Sequence, residues 1–393
     1  MPTDNKVVLH VITGLRTGGA ERMLCQLLSA MDRQCWEPVV LSLTDGSGPE
    51  AWLREQGIPV HSLGMPPGKL PSPAQWIELI RIVRRVRPDL IHGWMYHGNL
   101  AAQLANLFLF PRARVLWSIH HSIGSTGALS AEKKMTAGII RLGARLSWLP
   151  DKIVYASRVS REQHVDLGYS DRKGCSIPNG VDPGVFAPAV DAGAGANAGT
   201  ALRRELGLSA TGLVIGSLAR YHPMKDHENF FRAAASLCSR PEGKDVQFLL
   251  AGTRVDTSNA DLQSLIRELG IRDRVHLLGE RADTARLLTA MDLFTVSSSH
   301  GEALPMVLLE AMSCGVTCVT TDVGDAGLAV GDTGRVVAPR DPEALAGAWA
   351  ELISAGTEKR RELGRAARQK IINNYTLKVC AGAYEDLYRA LTV

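Results

Sequence analysis

Residues 297–315 read SSSHGEALPMVLLEAMSCG, with two carboxylates, Glu302 and Glu310, eight positions apart. Pro305 suits the first turn of a helix, where its missing N–H would be unpaired in any case. Gly315 suits the stop, where a left-handed residue is wanted. The pattern predicts Glu302 in a loop that aims backbone N–H groups forward through Ala303, Leu304 and Pro305, and Glu310 inside the helix. Val307, Leu308, Leu309 and Met312 make that helix mostly apolar. Glu310 is therefore expected near a buried wall, where a carboxylate needs a partner. The apolar run Leu293–Val296 ahead of it reads as a strand, and the carboxyl ends of strands are where open α/β sheets bind ligands. Two glutamates at a fixed spacing are common on any helix; the strand before and the apolar face are what distinguish this pair. If all eight steps were helical, the carboxylates would stand about 12 Å apart. That is roughly the span from a hexose, across a diphosphate, to a ribose, and a helix N-terminus between them would attract the diphosphate.

This stretch, with the whole run from Asp292 through Val319, resembles the E-x7-E motif of the retaining glycosyltransferases of family 4. The resemblance implies the α/β fold of that family, GT-B, in which two Rossmann-like doubly wound domains face each other across a cleft. It also implies that Glu310 holds the ribose hydroxyls of a sugar nucleotide, that Glu302 holds hydroxyls of the transferred sugar, and that Ala303, Leu304 and Pro305 line the donor.

Composition agrees with two domains: the chain has 393 residues and ordinary apolar content. The polar start MPTDNK runs into the strand-like KVVLHVI, with no signal peptide and no apolar stretch long enough to span a bilayer. The seven cysteines are scattered, without a C-x-x-C, and read as reduced core residues of a cytoplasmic protein. The net charge of +4 divides unevenly. Residues 1–182 carry 21 Lys/Arg against 15 Asp/Glu, whereas the remainder carries a slight acidic excess. Few aromatics and no binding motif argue against nucleic acid as a partner. A phosphate-bearing acceptor or an anionic membrane fits the basic first half better.

Strands alternate with helices along both halves, which means parallel sheets covered on both faces. The expected domains are 1–182, an Ala/Gly-rich linker at 183–200, a donor-binding domain at 201–375, and a terminal helix at 376–393 that packs back on the first domain. After the first strand, TGLRTGGAER brings Gly18 and Gly19 to a turn that permits close approach of a ligand. The spacing is not G-x-G-x-x-G, so no dinucleotide fingerprint is present. Tyr96 to Asn99 reads as a loop ahead of a helix Leu100–Phe108. His120 closes the strand Arg114–Ile119 and is open to two readings, a histidine satisfied by local backbone or one facing a ligand. His121, His97 and Asn99 are further candidates on the acceptor side. Ala131–Leu149 mixes Lys133, Lys134, Arg141 and Arg145 with apolar residues and Trp148. It reads either as an interfacial helix on anionic lipid or as an amphipathic helix with a solvated basic face.

In the second half, Arg220 and Lys225 share one strand-to-helix loop, and two cations there make a natural diphosphate clamp. Gly279 and Arg281 end a strand beside the expected nucleotide base. The resemblance implies that Gly18 and Gly19 face the donor diphosphate and the acceptor, that His120 approaches the sugar or its phosphate, and that Arg220 and Lys225 bind the diphosphate. Family members usually carry glycine after that lysine; here it is Asp226. No D-x-D pair occurs, so no metal bridge and no cofactor are expected. Arg220, Lys225 and the helix at Pro305 would meet the charge on the leaving group.

The leading expectation is retaining transfer of a sugar from a nucleotide donor, UDP-linked, to a glycan or polyprenyl-linked acceptor. The enzyme would work in the cytoplasm or peripherally on the inner face of the membrane. The alternatives are a nucleotide-sugar 2-epimerase of the same layout, which would convert donor with no acceptor present, and a non-catalytic sugar-nucleotide sensor.

Overall fold

A computed structural model describes residues 5–15, 18–44, 48–66, 71–123, 134–188, 198–209 and 212–392. The chain divides into two units, Met1–Gly180 with Leu377–Val393, and Val181–Thr376.

Among the described residues the first unit has seven strands: β1 (Lys6–Ile12), β2 (Trp36–Ser42), β3 (Val60–Ser62), β4 (Leu90–Trp94), β5 (Arg114–Ile119), β6 (Lys152–Tyr155) and β7 (Gly174–Ser176). They lie in the order β3-β2-β1-β4-β5-β6-β7, each pair parallel. All five residues of β4 are buried, as a strand covered by helices on both faces requires. On one face Leu9, Val11, Ile91, Val115 and Ile153 form an apolar core.

The other face is aromatic. His92 and Trp94 of β4 lie with ring centroids 4.7 Å apart, and Tyr384 and Tyr388 of the closing helix Leu377–Thr392 pack on His92. Tyr388 Oη hydrogen-bonds His92 Nδ1 at 2.8 Å, and the Trp94 indole donates to His10 Nδ1 at 3.1 Å. This layer, with the Asp32 N–H donating to Glu385 at 2.8 Å, fixes the last helix to the first unit.

The helix after β4 starts at Met95, not at Leu100, so Tyr96 to Asn99 form its first turns rather than a loop. Met95 takes a left-handed φ of 61° to turn directly from strand to helix. Glycines make the short turn possible. A Cβ on Gly98 would sit 2.4 Å from the Val11 carbonyl oxygen, and one on Gly93 would sit 2.6 Å from Asn99 Cα.

Of the basic segment expected at 131–149, residues 131–133 lie outside the described ones. The helix Lys134–Leu146 buries Ala137, Ile140 and Ala144 and exposes Met135, Arg141, Leu142 and Arg145, with Trp148 exposed just beyond. Its outward face is therefore basic and apolar together.

Among the described residues the second unit has six strands: β8 (Leu213–Leu218), β9 (Val246–Ala251), β10 (Val275–Leu277), β11 (Leu293–Val296), β12 (Thr317–Thr321) and β13 (Arg335–Val337). Their order is β10-β9-β8-β11-β12-β13, again all parallel. Phe230, Phe248 and Trp349 meet at ring-centroid distances of 5.2 to 6.0 Å, and the Trp349 indole donates to Thr295 Oγ1 at 3.0 Å. The chain enters and leaves this unit side by side: the Val181 N–H donates to the Tyr375 carbonyl at 2.9 Å, and Val181 bridges Thr376.

Of the segment expected as a linker, 189–197 lie outside the described residues. Its ends are structured: Phe186 is buried in the core of the second unit, and a helix begins at Ala198. No helix among the described residues is long and apolar enough to cross a membrane.

The buried histidines of the first unit give a pH signature. Burial lowers His10 from 6.5 to about 3 and His120 to about 4, and lowers His92 well below 6.5. In the unfolded chain each takes up a proton near 6.5; in the folded unit it does not. Stability is thus fully present above pH 6.5 and drains away as pH falls from 6.5 towards 4, by about 1.4 kcal/mol per pH unit for each such histidine. Thermal unfolding followed between those pH values should show this loss, and His10→Phe should make the dependence shallower.

Candidate functional site

In each sheet the chain leaves its first strand in one direction and later returns to the other side. The two switch points lie between β1 and β4 and between β8 and β11. The crevice at the carboxyl end of such a point is the ligand-binding place of doubly wound sheets.

In the second unit that crevice is made by the loops after β8 and β11. The first loop leads into a tight turn, Pro223–Lys225, started by His222, whose Nδ1 accepts the Met224 N–H at 3.2 Å. Asp226 follows in the left-handed region with φ 49° and ψ 57°, and its Oδ1 caps the next helix by accepting the Asn229 N–H at 3.1 Å. Glycine tolerates that backbone freely, and aspartate is among the few other residues that do. Asp226 therefore holds the turn that a glycine would also allow and adds a cap. Burial raises the pKa of this carboxyl.

The second loop is tied onto the first. Ser297 Oγ donates to the Lys225 carbonyl at 3.0 Å, and the Ser299 N–H donates to the Met224 carbonyl at 2.9 Å. Thr321 Oγ1 holds the Ser298 carbonyl at 2.6 Å from the neighbouring strand. These bonds bring Lys225 Nζ into an ion pair with Glu302 Oε1, which also accepts from Ser298 Oγ at 2.8 Å. Both side chains are mostly buried, with 16% of the lysine and 11% of the glutamate exposed. Gly324 lies flat against this loop, leaving no room for a Cβ beside the Glu302 and Ala303 carbonyls.

The helix that follows is Met306–Ser313. Pro305 is its cap, with ψ 120°, and not its first helical residue, so only the second half of the glutamate spacing is helical and the 12 Å figure does not apply. Gly315 stops the chain at φ 73° as expected. Glu310 is fully buried inside the helix.

Arg220 is exposed, and no ion pair engages it among the described residues. Gly279 follows β10 with φ 70°, and its carbonyl accepts the Gly252 N–H at 2.8 Å. Arg281 holds Asp283 through two bonds of 2.8 and 2.7 Å, so its guanidinium braces its own turn.

In the first unit, Gly18 caps and Gly19 begins the helix after β1, with open space above Gly19. Residues 16 and 17 of that turn lie outside the described ones. His120 stacks on Trp94 at 5.0 Å and 9°. Its Nδ1–H donates to Asn179 Oδ1 at 3.1 Å, so Nε2 carries the lone pair, and no partner for Nε2 lies among the described residues. Burial keeps the ring neutral at pH 7. A neutral acceptor nitrogen suits a hydroxyl rather than a phosphate.

Beside it stands a relay that the sequence did not disclose. His164 Nδ1–H donates to the Ser160 carbonyl at 2.6 Å, so its Nε2 must accept from Tyr96 Oη at 2.9 Å. Tyr96 Oη then accepts from His121 Nδ1–H at 3.2 Å, which fixes the tautomer of His121. No spacing in the sequence linked Tyr96, His121 and His164. The three consecutive serines at 297–299 were visible, and their place at a strand end was the one signal that they tie loops together.

Two family models match: Glycosyltransferase Family 4 over residues 17–185, and Glycosyl transferases group 1 over residues 200–370. A D-inositol 3-phosphate glycosyltransferase of Stackebrandtia nassauensis is 32% identical, covering 94% of this chain and 88% of its own. The putative glycosyltransferase EpsF of Bacillus subtilis is 29% identical over 94% of this chain and 96% of its own. Among solved structures, Anabaena Alr3699/HepE in complex with UDP superimposes with a TM-score of 0.82 at 22% identity, covering 98% of this chain and all of its own. Full-length similarity and the two parallel sheets agree: the chain belongs to glycosyltransferase family 4 and has the GT-B fold.

Proposed function

We propose that this glycosyltransferase moves a sugar, with retention, from a UDP-linked donor to a glycan or polyprenyl-linked acceptor. The observation that carries the reading is the assembly of Lys225, Glu302 and Ser298 at the β8/β11 switch point, with Glu310 buried in the helix behind. Arg220 and Lys225 bind the diphosphate, and the first turn of Met306–Ser313 adds its free N–H groups and dipole. Glu310 holds the ribose, and Ala303, Leu304, Pro305, Gly279 and Arg281 line the nucleotide. Glu302, braced by Ser298, orients the sugar hydroxyls. His120 accepts a bond from a hydroxyl through its neutral Nε2, and Gly18 and Gly19 face the diphosphate, with open space at Gly19. The UDP preference is supported by the fold neighbour HepE, which was solved with UDP and with UDP-glucose.

Glu302, held by Ser298, serves orientation rather than attack on the anomeric carbon. Transfer then runs on the front side through an oxocarbenium-like state. The C–O bond to the diphosphate breaks, the acceptor oxygen bonds to the same face, and the leaving phosphate takes the acceptor proton. The cations and the helix dipole meet the charge on the leaving group, so no metal is required. Work at the inner face of a membrane is supported by the basic, apolar outward face of Lys134–Leu146.

A panel of nucleotide sugars, read by nucleotide release in excess EDTA, tests the reaction. A UDP-sugar should give release that depends on acceptor and survives EDTA. Donor conversion without acceptor would point instead to an epimerase, and loss on chelation restored by Mg or Mn would contradict the metal-free mechanism.

The two glutamates should separate. Glu310→Gln removes a charge-assisted bond worth roughly 1.5–3 kcal/mol and should weaken nucleoside diphosphate as well as intact donor. Glu302→Gln frees Lys225 from its ion pair and should not weaken diphosphate binding, while transfer rate and discrimination among donor sugars fall. Calorimetry with diphosphate alone, beside steady-state kinetics, measures both. Equal loss of diphosphate binding in the two variants would contradict the division of roles.

A further inference from the structure

The amino-terminal edge of the first sheet, opposite the edge that carries Gly18 and His120, holds a second feature. A cavity of about 760 Å³ there is lined by Arg84, Arg87, Arg112 and Arg114, with Asp89 on its wall. The helix Pro73–Val86 ends at Arg87 in a left-handed turn, which puts Arg84 and Arg87 at one side, and Arg114 opens β5.

The local bonds leave much of this charge unspent. Asp89 is taken by Lys6 at 3.5 Å and by the Val7 N–H at 2.8 Å. Arg114 reaches Asp151 at 3.2 Å, and Arg84 donates to the Phe108 carbonyl at 3.3 Å. Among the described residues, no ion pair or hydrogen bond engages the side chain of Arg87 or Arg112, and both residues are exposed. Guanidinium groups gathered in this way favour a phosphate, which they can hold through paired N–H bonds.

Phe110, on the cavity wall, is fully exposed, and Leu107, next in sequence to the lining residue Phe108, is 53% exposed. Large apolar side chains at a basic hollow are costly to leave in water. A soluble phosphate would use the arginines and leave the apolar side chains wet, whereas the surface of an anionic bilayer uses both.

We infer that this hollow docks the enzyme on anionic lipid: a headgroup phosphate sits among Arg84, Arg87, Arg112 and Arg114, while Phe110 and Leu107 enter the headgroup–acyl boundary. The inference rests on the proposed membrane-side work and gives it a place distinct from the helix Lys134–Leu146.

Co-sedimentation with phosphatidylglycerol-containing vesicles and with pure phosphatidylcholine vesicles tests it, using the wild type, Arg87→Glu/Arg112→Glu and Leu107→Ser/Phe110→Ser. Release of nucleotide with a soluble acceptor, unchanged in both variants, shows that they fold. The wild type should prefer the anionic vesicles in a salt-sensitive way, and each variant should bind them at least about tenfold more weakly. Wild-type affinity in both variants would overturn the hollow while leaving the membrane reading intact. Equal binding of the wild type to both vesicle types would overturn the two together. Tight calorimetric binding of glycerol phosphate without any vesicle preference would make the hollow a soluble-anion site and overturn the lipid assignment.

Discussion

The candidate donor site depends on one contact, the ion pair between Lys225 and Glu302. It joins two loops that are 77 residues apart in sequence and that leave adjacent strands. Both partners are mostly buried, and removing one would leave the other charge uncompensated, at a cost of about 3–5 kcal/mol. The backbone bonds from Ser297 and Ser299 make the contact possible by fixing the second loop against the turn that carries the lysine. The buried helix behind it then sets Glu310 relative to Glu302. The pair satisfies both charges. In the proposed reaction the diphosphate and sugar hydroxyls replace each partner for the other, so binding exchanges one set of charge-assisted bonds for another.

The first unit is organised by a different constraint. Its sheet carries histidines on both sides of β4, and burial holds them neutral. Two of them, His10 and His92, are structural: they pack against Trp94 and the tyrosines of the closing helix. The third, His120, stacks on the same tryptophan but lies past the end of β5, where it can face a ligand. One aromatic layer thus anchors the last helix and orients a candidate site residue.

Much of this was legible in the sequence. Apolar runs such as Val7–Ile12 and Leu293–Val296, separated by helical periodicity, disclosed the parallel sheets, and Gly315 marked a helix end by the backbone it adopts. The helix after β4 was misread because its start at Met95 depends on how closely Gly93 and Gly98 let it approach β1, a tertiary fact with no local signal. The bracing of Arg281 was open to local reading, since its carboxylate partner Asp283 stands only two residues away. The serine ties and the Tyr96 relay were hidden for the opposite reason, since their partners lie far off in sequence. Glu302 and Lys225 were each found separately, through motif and loop position, but nothing in the sequence said that they touch.

The most direct measurement is a structure of the enzyme with the donor it turns over. The account predicts that Lys225 Nζ leaves Glu302 and lies within hydrogen-bond distance, about 3 Å, of a diphosphate oxygen, with Glu302 turned to the hydroxyls of the sugar. An intact Lys225–Glu302 pair, with the diphosphate held by other residues, would contradict it.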